Sequence, residues 1–168
     1  MKKFVMLMSL LMASTFSVAN DTGSWKFKQI SDEMSSKVIK VLDLDGEATR
    51  TLDFPYGDVK AQMLYYCDGN TYMFYTTASN LTDGEWDDYG YQVYKIRIKL
   101  DDSLGKASLI QTSSASDTFW VYNSLGNSKY DLVSYDTVLI ETSLYSQGSV
   151  VYRFNTSGID AAIAKHCN

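Results

Sequence analysis

The sequence predicts a mainly β domain, a single antiparallel β-sandwich or small barrel of about eight strands with one C-terminal helix. The chain contains 13 tyrosines and a single proline, together with many β-branched residues, and this composition favours strands. Short segments in which apolar and polar residues alternate are separated by Gly, Asn, Asp and Ser. Only residues 159–167 place apolar side chains at helical spacing, so the helix is expected there.

Residues 1–19 have the organisation of a secretory signal peptide. Two lysines precede an apolar run, and small residues stand at the positions that precede a cleavage site after Ala19. The apolar run is shorter than the ~20 residues that span a bilayer, so stable membrane insertion is not expected. Cleavage would leave residues 20–168 as a single β-rich domain. We expect that domain in a bacterial periplasm, with secretion as the alternative.

The charge of the chain disfavours two classes of partner. The net charge is −5, and loss of the two signal-peptide lysines lowers it by two, to −7. An acidic surface repels both nucleic acid and anionic membranes. The partner is therefore expected to be a protein, and a basic one if charge attracts it.

The first part of the domain is predicted to form a hairpin. Residues 25–30 open the folded region, and residues 38–44 read as a strand. The pair Asp45-Gly46 is a strong two-residue turn signal. We therefore expect the chain to reverse there and to return along residues 47–54.

A second hairpin and several further strands follow. Residues 60–67 and 71–77 form the second hairpin, in which Tyr65 and Cys67 share one face. Residues 91–100 alternate apolar with basic side chains, as a strand with one buried and one solvated face does. Further strands are expected at residues 106–112, 118–122, 137–143 and 149–154.

The C-terminal helix is expected to pack one face against the sheet. Ser157 is predicted to cap it, with Asp160 near the positive end of the helix dipole. Because an exported chain with only two cysteines normally pairs them, a disulfide between Cys67 and Cys167 is expected. The predicted inner face consists of Ile159, Ala162, Ile163, His166 and Cys167.

Few residues are available for catalysis. His166 is the only histidine, so a Ser-His-Asp or Cys-His mechanism would have to use it. Its place on an apolar stripe indicates a packed, structural side chain, and zinc sites need more His and Cys than the chain supplies. We therefore expect no catalytic residue, no metal and no cofactor. A glycosidase-like pair of carboxylates stays open, since spacing along a sequence does not show its geometry.

A long acidic and aromatic loop is the strongest candidate for binding a partner. Aromatic side chains on a loop are common interface anchors, and the acids around them would steer a basic partner. Alternatively, Trp86 folds back over the core, and the acids form a solvated loop or an irregular calcium site. The candidate residues are Asp83, Glu85, Trp86, Asp87, Asp88, Tyr89 and Tyr91.

A second set of residues is aromatic and falls within the predicted strands. If the sheet closes into a barrel, these side chains could line a pocket for a small amphipathic ligand, of lipid or bile-salt type. Alternatively, they are the core. The set comprises Tyr65, Tyr72, Phe74, Tyr94, Phe119, Trp120 and Tyr122.

Positions spread along the domain share a layout with a known family. They are Trp25, Ser35, Val38, Leu64 to Cys67, Thr71, Phe154 to Ile159, Ala162 and Cys167. This layout resembles that of VasI-type type VI secretion accessory proteins. The resemblance implies a periplasmic, non-enzymatic, all-β domain with a bond between Cys67 and Cys167, and it transfers no functional residue.

Three functions remain as hypotheses. The leading one is a periplasmic, non-enzymatic protein-binding module, such as a secretion accessory factor, an immunity protein or an inhibitor of a cell-wall hydrolase. The alternative is a barrel that binds a small molecule and serves as a subunit of a membrane-bound sensor. The third is a glycosidase-like enzyme with paired carboxylates.

Overall fold

The structure, a computed structural model, describes residues 22–32, 37–54, 57, 60–68, 71–76, 81–111, 118–123 and 134–168. The predicted signal peptide lies outside these ranges. The helix α1 is Ile159–His166, and among the described residues no helix has the length and apolar character needed to cross a membrane. The strands are β1 Lys26–Asp32, β2 Lys37–Ala48, β3 Ala61–Tyr66, β4 Thr71–Thr76, β5 Gly84–Trp86, β6 Gln92–Leu100, β7 Ser103–Gln111, β8 Thr118–Asn123, β9 Thr137–Leu144 and β10 Gly148–Asn155.

Eight of the strands close into an antiparallel barrel, which confirms the predicted fold class. Around the barrel the order is β2, β10, β9, β6, β7, β8, β4 and β3, and pairing of β3 with β2 completes the ring. The strands β1 and β5 lie outside this ring, on β2 and β6. Closure pairs both edges of each barrel strand, so the sheet is a barrel rather than a sandwich.

The predicted hairpin at Asp45-Gly46 is wrong, because β2 runs through both residues without turning. The ring of Phe154 lies against Gly46, and a Cβ at this position would collide with it. Asp45 forms an ion pair with Lys26 instead of occupying a turn. Glycine is therefore needed here for close approach of a side chain, not for a reversal of the chain.

Alternation along the strands fills the barrel with apolar side chains. On β6, Ile96 and Ile98 are buried while Lys95 and Arg97 are more exposed, as predicted. Burying an aliphatic or aromatic side chain of this size stabilises the fold by roughly 1.5–3 kcal/mol. The largest fully buried side chains are Tyr152, Phe74, Phe119, Phe154, Leu42, Leu44, Met63, Ile98, Leu109, Ile140 and Leu144.

The helix α1 lies beside the end of the barrel at which β10 finishes. Its residues Ile159 and Ala162 are buried in the core, and the ring of His166 stacks on Phe27 with 4.5 Å between centroids. The disulfide between Cys67 and Cys167 ties the end of the helix to the end of β3. The predicted inner face and disulfide are therefore confirmed.

The start of the helix differs from the prediction. Gly158, in a left-handed conformation with φ of 83°, is the N-cap, and no side chain caps the helix. Ser157 instead donates a hydrogen bond from Oγ to Asp136 Oδ1 at 3.1 Å. Because a residue at φ near 80° carries little penalty only when it is glycine, the sharp corner after β10 displaces serine from the cap position.

Candidate functional site

Within the described ranges, three segments between strands meet at the end of the barrel away from the helix. The turn between β9 and β10 lies there, and β2 runs antiparallel to β10, so residues 49–54 follow β2 at the same end. The strand β6 starts beside the end of β9, which places residues 81–91 at this end too. We call these three segments, 49–54, 81–91 and 144–148, the aromatic end.

Hydrogen bonds join the three segments to one another. Arg50 Nη2 donates to the backbone oxygens of Gln147, at 2.6 Å, and Ser149, at 3.2 Å. The backbone N–H of Asp53 donates to Gln147 Oε1 at 3.1 Å. On the other side, Thr82 N donates to the backbone oxygen of Ser143 at 2.9 Å. The aromatic end is therefore one connected surface rather than three independent loops.

Large apolar side chains project from this surface into solvent. Trp86 is 71% exposed and Tyr89 is 87% exposed, so Trp86 does not fold back over the core. Phe54, at 95%, and Tyr145, at 68%, are exposed on the neighbouring segments. Tyr91 is also exposed. An exposed concentration of aromatic residues usually marks an interaction site on a folded protein.

The aspartate Asp87 holds the tip of the 81–91 segment. Its Oδ1 accepts hydrogen bonds from the backbone N–H groups of Tyr89, at 2.9 Å, and Tyr91, at 2.8 Å. A backbone hydrogen bond of 3.0 Å runs from Asp87 N to the oxygen of Tyr91. Gly90 provides the positive φ of 82° that the turn requires. The exposed aromatics therefore sit on a conformationally defined turn.

The base of the same segment forms a short strand, β5, where the sequence indicated a plain loop. Gly84 lies opposite Tyr94 on β6, and a Cβ on Gly84 would approach the Tyr94 ring to 2.7 Å. Glu85, which lies opposite Val93, forms a diagonal ion pair of 2.7 Å with Lys95 on β6. The missing side chain of Gly84 thus leaves room for the ring of Tyr94, so that β5 can pair with β6.

The acids of this segment are already used within the chain or point to solvent. Asp87 closes the turn, Glu85 contacts Lys95, and Asp83 accepts a hydrogen bond from the hydroxyl of Thr82 at 3.2 Å. Across the described ranges, no group of three or more His, Cys, Asp or Glu side chains is arranged to hold a metal ion. The segment thus presents acidic and aromatic side chains to solvent.

The predicted pocket residues do not form a single set. Inside the barrel, the ring centroids of Phe74 and Phe119 lie 6.3 Å apart. The rings of Tyr94 and Phe119 pack at nearly a right angle, with 5.6 Å between centroids. Tyr65 and Tyr72 are also buried and lie 5.0 Å apart. These interior aromatics pack against one another as a core does.

Two members of that set differ from the interior group. Trp120 is only partly buried and alternates with the buried Phe119 and Val121, so it lies on the outer face of β8. For Tyr122 the structure describes the backbone alone, within β8. Tyr152, which the sequence did not single out, lies in the interior instead, and burial raises its pKa above 10.0.

Sequence reasoning identified part of the aromatic end and missed the rest. Trp86, Tyr89 and Tyr91 were predicted from their clustering with acids, whereas Phe54 and Tyr145 stand singly in the sequence beside turn residues. Only the strand order brings those two to the same end of the barrel. Comparison of the chain with protein-family models, with curated proteins and with solved structures finds no match.

Proposed function

We propose that this chain is an exported, non-enzymatic protein-binding module whose partner docks on the aromatic end. The observation that supports it most is the exposure of Trp86 and Tyr89 on a turn that Asp87 holds in one conformation. Tryptophan and tyrosine are the residues that most often dominate binding energy at interfaces. A turn that is ordered before binding loses less conformational entropy when the complex forms.

The charge of the aromatic end favours a basic partner. Asp83, Asp87 and Asp88 lie next to the exposed rings, and the net charge of the whole chain is −5. Complementary charge accelerates the encounter of two proteins and disfavours wrong partners. Part of the association rate should therefore be lost as ionic strength rises, because salt screens charges that are separated by about 10 Å or more.

The proposed location is outside the cytosol. The disulfide between Cys67 and Cys167 fits an oxidising compartment such as the periplasm, since such bonds are rare in reducing ones. A secretion accessory factor, an immunity protein and an inhibitor of a cell-wall hydrolase are the three kinds of module that fit a protein-binding role there. The resemblance to VasI-type proteins favours the first.

The test is capture of the partner from periplasmic extract, followed by calorimetric affinity measurement with the purified partner. We expect the double substitution Trp86→Ala with Tyr89→Ala to weaken binding by roughly 2–4 kcal/mol, or about 30- to 1000-fold. The matched control is Ile30→Ala with Val38→Ala, which removes two exposed apolar side chains from β1 and β2. Unchanged affinity of the Trp86 and Tyr89 variant, with an unchanged fold, would remove the aromatic end from the proposal.

A further inference from the structure

A second surface of the barrel has the opposite charge from the aromatic end. The strands β10, β9, β6 and β7 are consecutive neighbours in the sheet. They contain five cations and one acid, Glu141, in a chain that has 20 acidic and 15 basic residues overall. The cations occupy positions that alternate with buried residues, so they share the outer side of the barrel. We call this outer surface the basic face; its cations are Lys95, Arg97, Lys99, Lys106 and Arg153.

One hollow on the basic face, which we call the cationic hollow, is lined by three cations and one acid. Its volume is about 330 Å³, and Lys95 and Lys106 line it together with the hydroxyl-bearing Ser143 and Ser149. Ammonium groups and hydroxyls are donors that suit an anionic oxygen. The residues that line it lie on four strands of a continuous sheet, so their spacing is set by the barrel rather than by a loop.

An apolar hollow adjoins the first. Its volume is about 170 Å³, and Leu104, Leu139 and Val151 line it. Leu104 is 69% exposed, so most of its side chain is open to contact with a partner. Arg97 and Glu141 line both hollows and thus form the boundary between them.

Glu141 shows that the basic face can hold a carboxylate. It forms an ion pair with Arg97 and accepts a hydrogen bond from Ser149 Oγ. Two further ion pairs of the face, Lys95 with Glu85 at 2.7 Å and Lys99 with Asp102 at 3.7 Å, are largely exposed. Exposed pairs of this kind contribute little, about 0–1 kcal/mol, so a partner's carboxylates can replace them without a large loss.

We propose that the basic face docks an extended acidic segment of another protein, with carboxylates in the cationic hollow and an apolar side chain against Leu104. Side chains on one face of an extended segment repeat about every 7 Å, because alternate residues share a face. Alternate residues along the strands of the basic face have the same spacing, so the two sets of side chains can match when the segment runs along the strands. One extended segment can cover both hollows at once, with its carboxylates beside the cations of the basic face. This surface adjoins the aromatic end through the ion pair between Lys95 and Glu85. The inference does not rest on the function proposed for that end.

Other occupants fit less well. A small amphipathic anion is held tightly when most of its surface is buried, and both hollows lie on the outer surface of the barrel. An anionic membrane would meet the net negative charge of the rest of the chain. A second copy would have to present the acidic residues of its aromatic end to the basic face, and such a head-to-tail contact forms either a closed ring or an open chain of molecules.

The probe is a short, end-blocked peptide in which Glu and Leu alternate, titrated into the isotope-labelled processed chain and followed by NMR at low salt. Chemical-shift changes are expected along β6, β7, β9 and β10. We expect Lys99→Glu with Lys106→Glu to weaken binding about tenfold or more, and Leu104→Ser alone to weaken it about threefold. The matched control, Lys60→Glu with Lys165→Glu, changes the net charge equally at exposed positions elsewhere.

Four outcomes overturn the proposal. These are no shifts at millimolar peptide, equal weakening by the control variant, equal binding of a peptide in which Lys replaces Glu, and shifts that a free dicarboxylate reproduces at the same concentration. Sedimentation velocity and co-sedimentation with anionic vesicles complete the test. Self-association or vesicle binding that Lys99→Glu with Lys106→Glu abolishes would assign the basic face to a second copy or to a membrane instead. Well-dispersed spectra of each variant exclude loss of folding.

Discussion

Replacing both cysteines, Cys67→Ser with Cys167→Ser, is expected to lower the free energy of unfolding without changing the native fold. The two residues are 100 apart in the sequence. The chain-entropy relation gives about 4.7 kcal/mol at 25 °C for a closed loop of that size, and native disulfides removed from small secreted domains cost about 2–5 kcal/mol. We therefore expect a decrease of about 3–5 kcal/mol, with the disulfide acting mainly on the unfolded chain.

The native fold should persist because other contacts hold the helix in place. Ile159 and Ala162 are buried in the core, and His166 stacks on Phe27. The corner before the helix is fixed by a hydrogen bond of 3.1 Å from Trp25 Nε1 to the backbone oxygen of Thr156. Amide hydrogen exchange in the helix should therefore remain slow in the variant under native conditions.

The measurement is urea unfolding of the oxidised protein, the double serine variant and the reduced protein, followed by fluorescence and circular dichroism. Reduction and substitution should give the same decrease, since both remove only the covalent bond. A decrease below about 1 kcal/mol would refute the reasoning, because the disulfide would then restrict the conformations of the unfolded chain almost not at all. Loss of helical signal before any urea is added would show that the disulfide, rather than packing, positions the helix.

Three other changes test the interior and the basic face. Gly46→Ala should lower stability by about 1–3 kcal/mol in urea unfolding, because its Cβ would collide with Phe154; no effect would show that β2 can shift locally. The hydrogen bond from Arg97 is the main cause that lowers the pKa of Glu141 below 4.5. The ionised Glu141 therefore stabilises the fold above pH 4.5, and this stabilisation is lost as the pH falls through the folded-state pKa. In Glu141→Gln, the free energy of unfolding should depend less on pH in the acid range and should change at pH 7 by only about 0.5 kcal/mol. Burial raises the pKa of Tyr152 above 10.0. The protonated Tyr152 therefore stabilises the fold fully below pH 10.0, and this stabilisation is lost as the pH rises through the folded-state pKa. When tyrosinate absorbance is followed during an alkaline titration, the Tyr152→Phe variant should lack one tyrosine that ionises late.

Local patterns in the sequence predicted most of the strands and the helix correctly. The alternation along β6 and the apolar stripe that includes Ile159 and Ala162 each reflect burial of one face, and such periodicity is readable without knowledge of the fold. The turn signal at Gly46 failed because a non-local contact, the ring of Phe154, decides why glycine stands there. The dipeptide Asp-Gly does not reveal whether its glycine serves a turn of the chain or the close approach of another side chain.

The candidate surfaces depend even more on non-local information. Phe54 and Tyr145 lie at the same end of the barrel as Trp86 only because β2 and β9 end there and β6 begins there. The basic face likewise requires that β10, β9, β6 and β7 be neighbours, an order that does not follow their order in the chain. Composition could suggest aromatic anchors and acids, but strand order decides which of them lie together.

The pairing of β2 with β10 has a consequence for biogenesis. The end of β2, the first barrel strand to be synthesised, pairs with residues more than 100 positions later, and until residues 152 and 153 emerge the ring has an open seam there. Contacts of such long range slow folding, because a large loop must be closed before they form. A chain that lacks β10 therefore cannot close the barrel, so closure is a late step that must follow synthesis of the last strand.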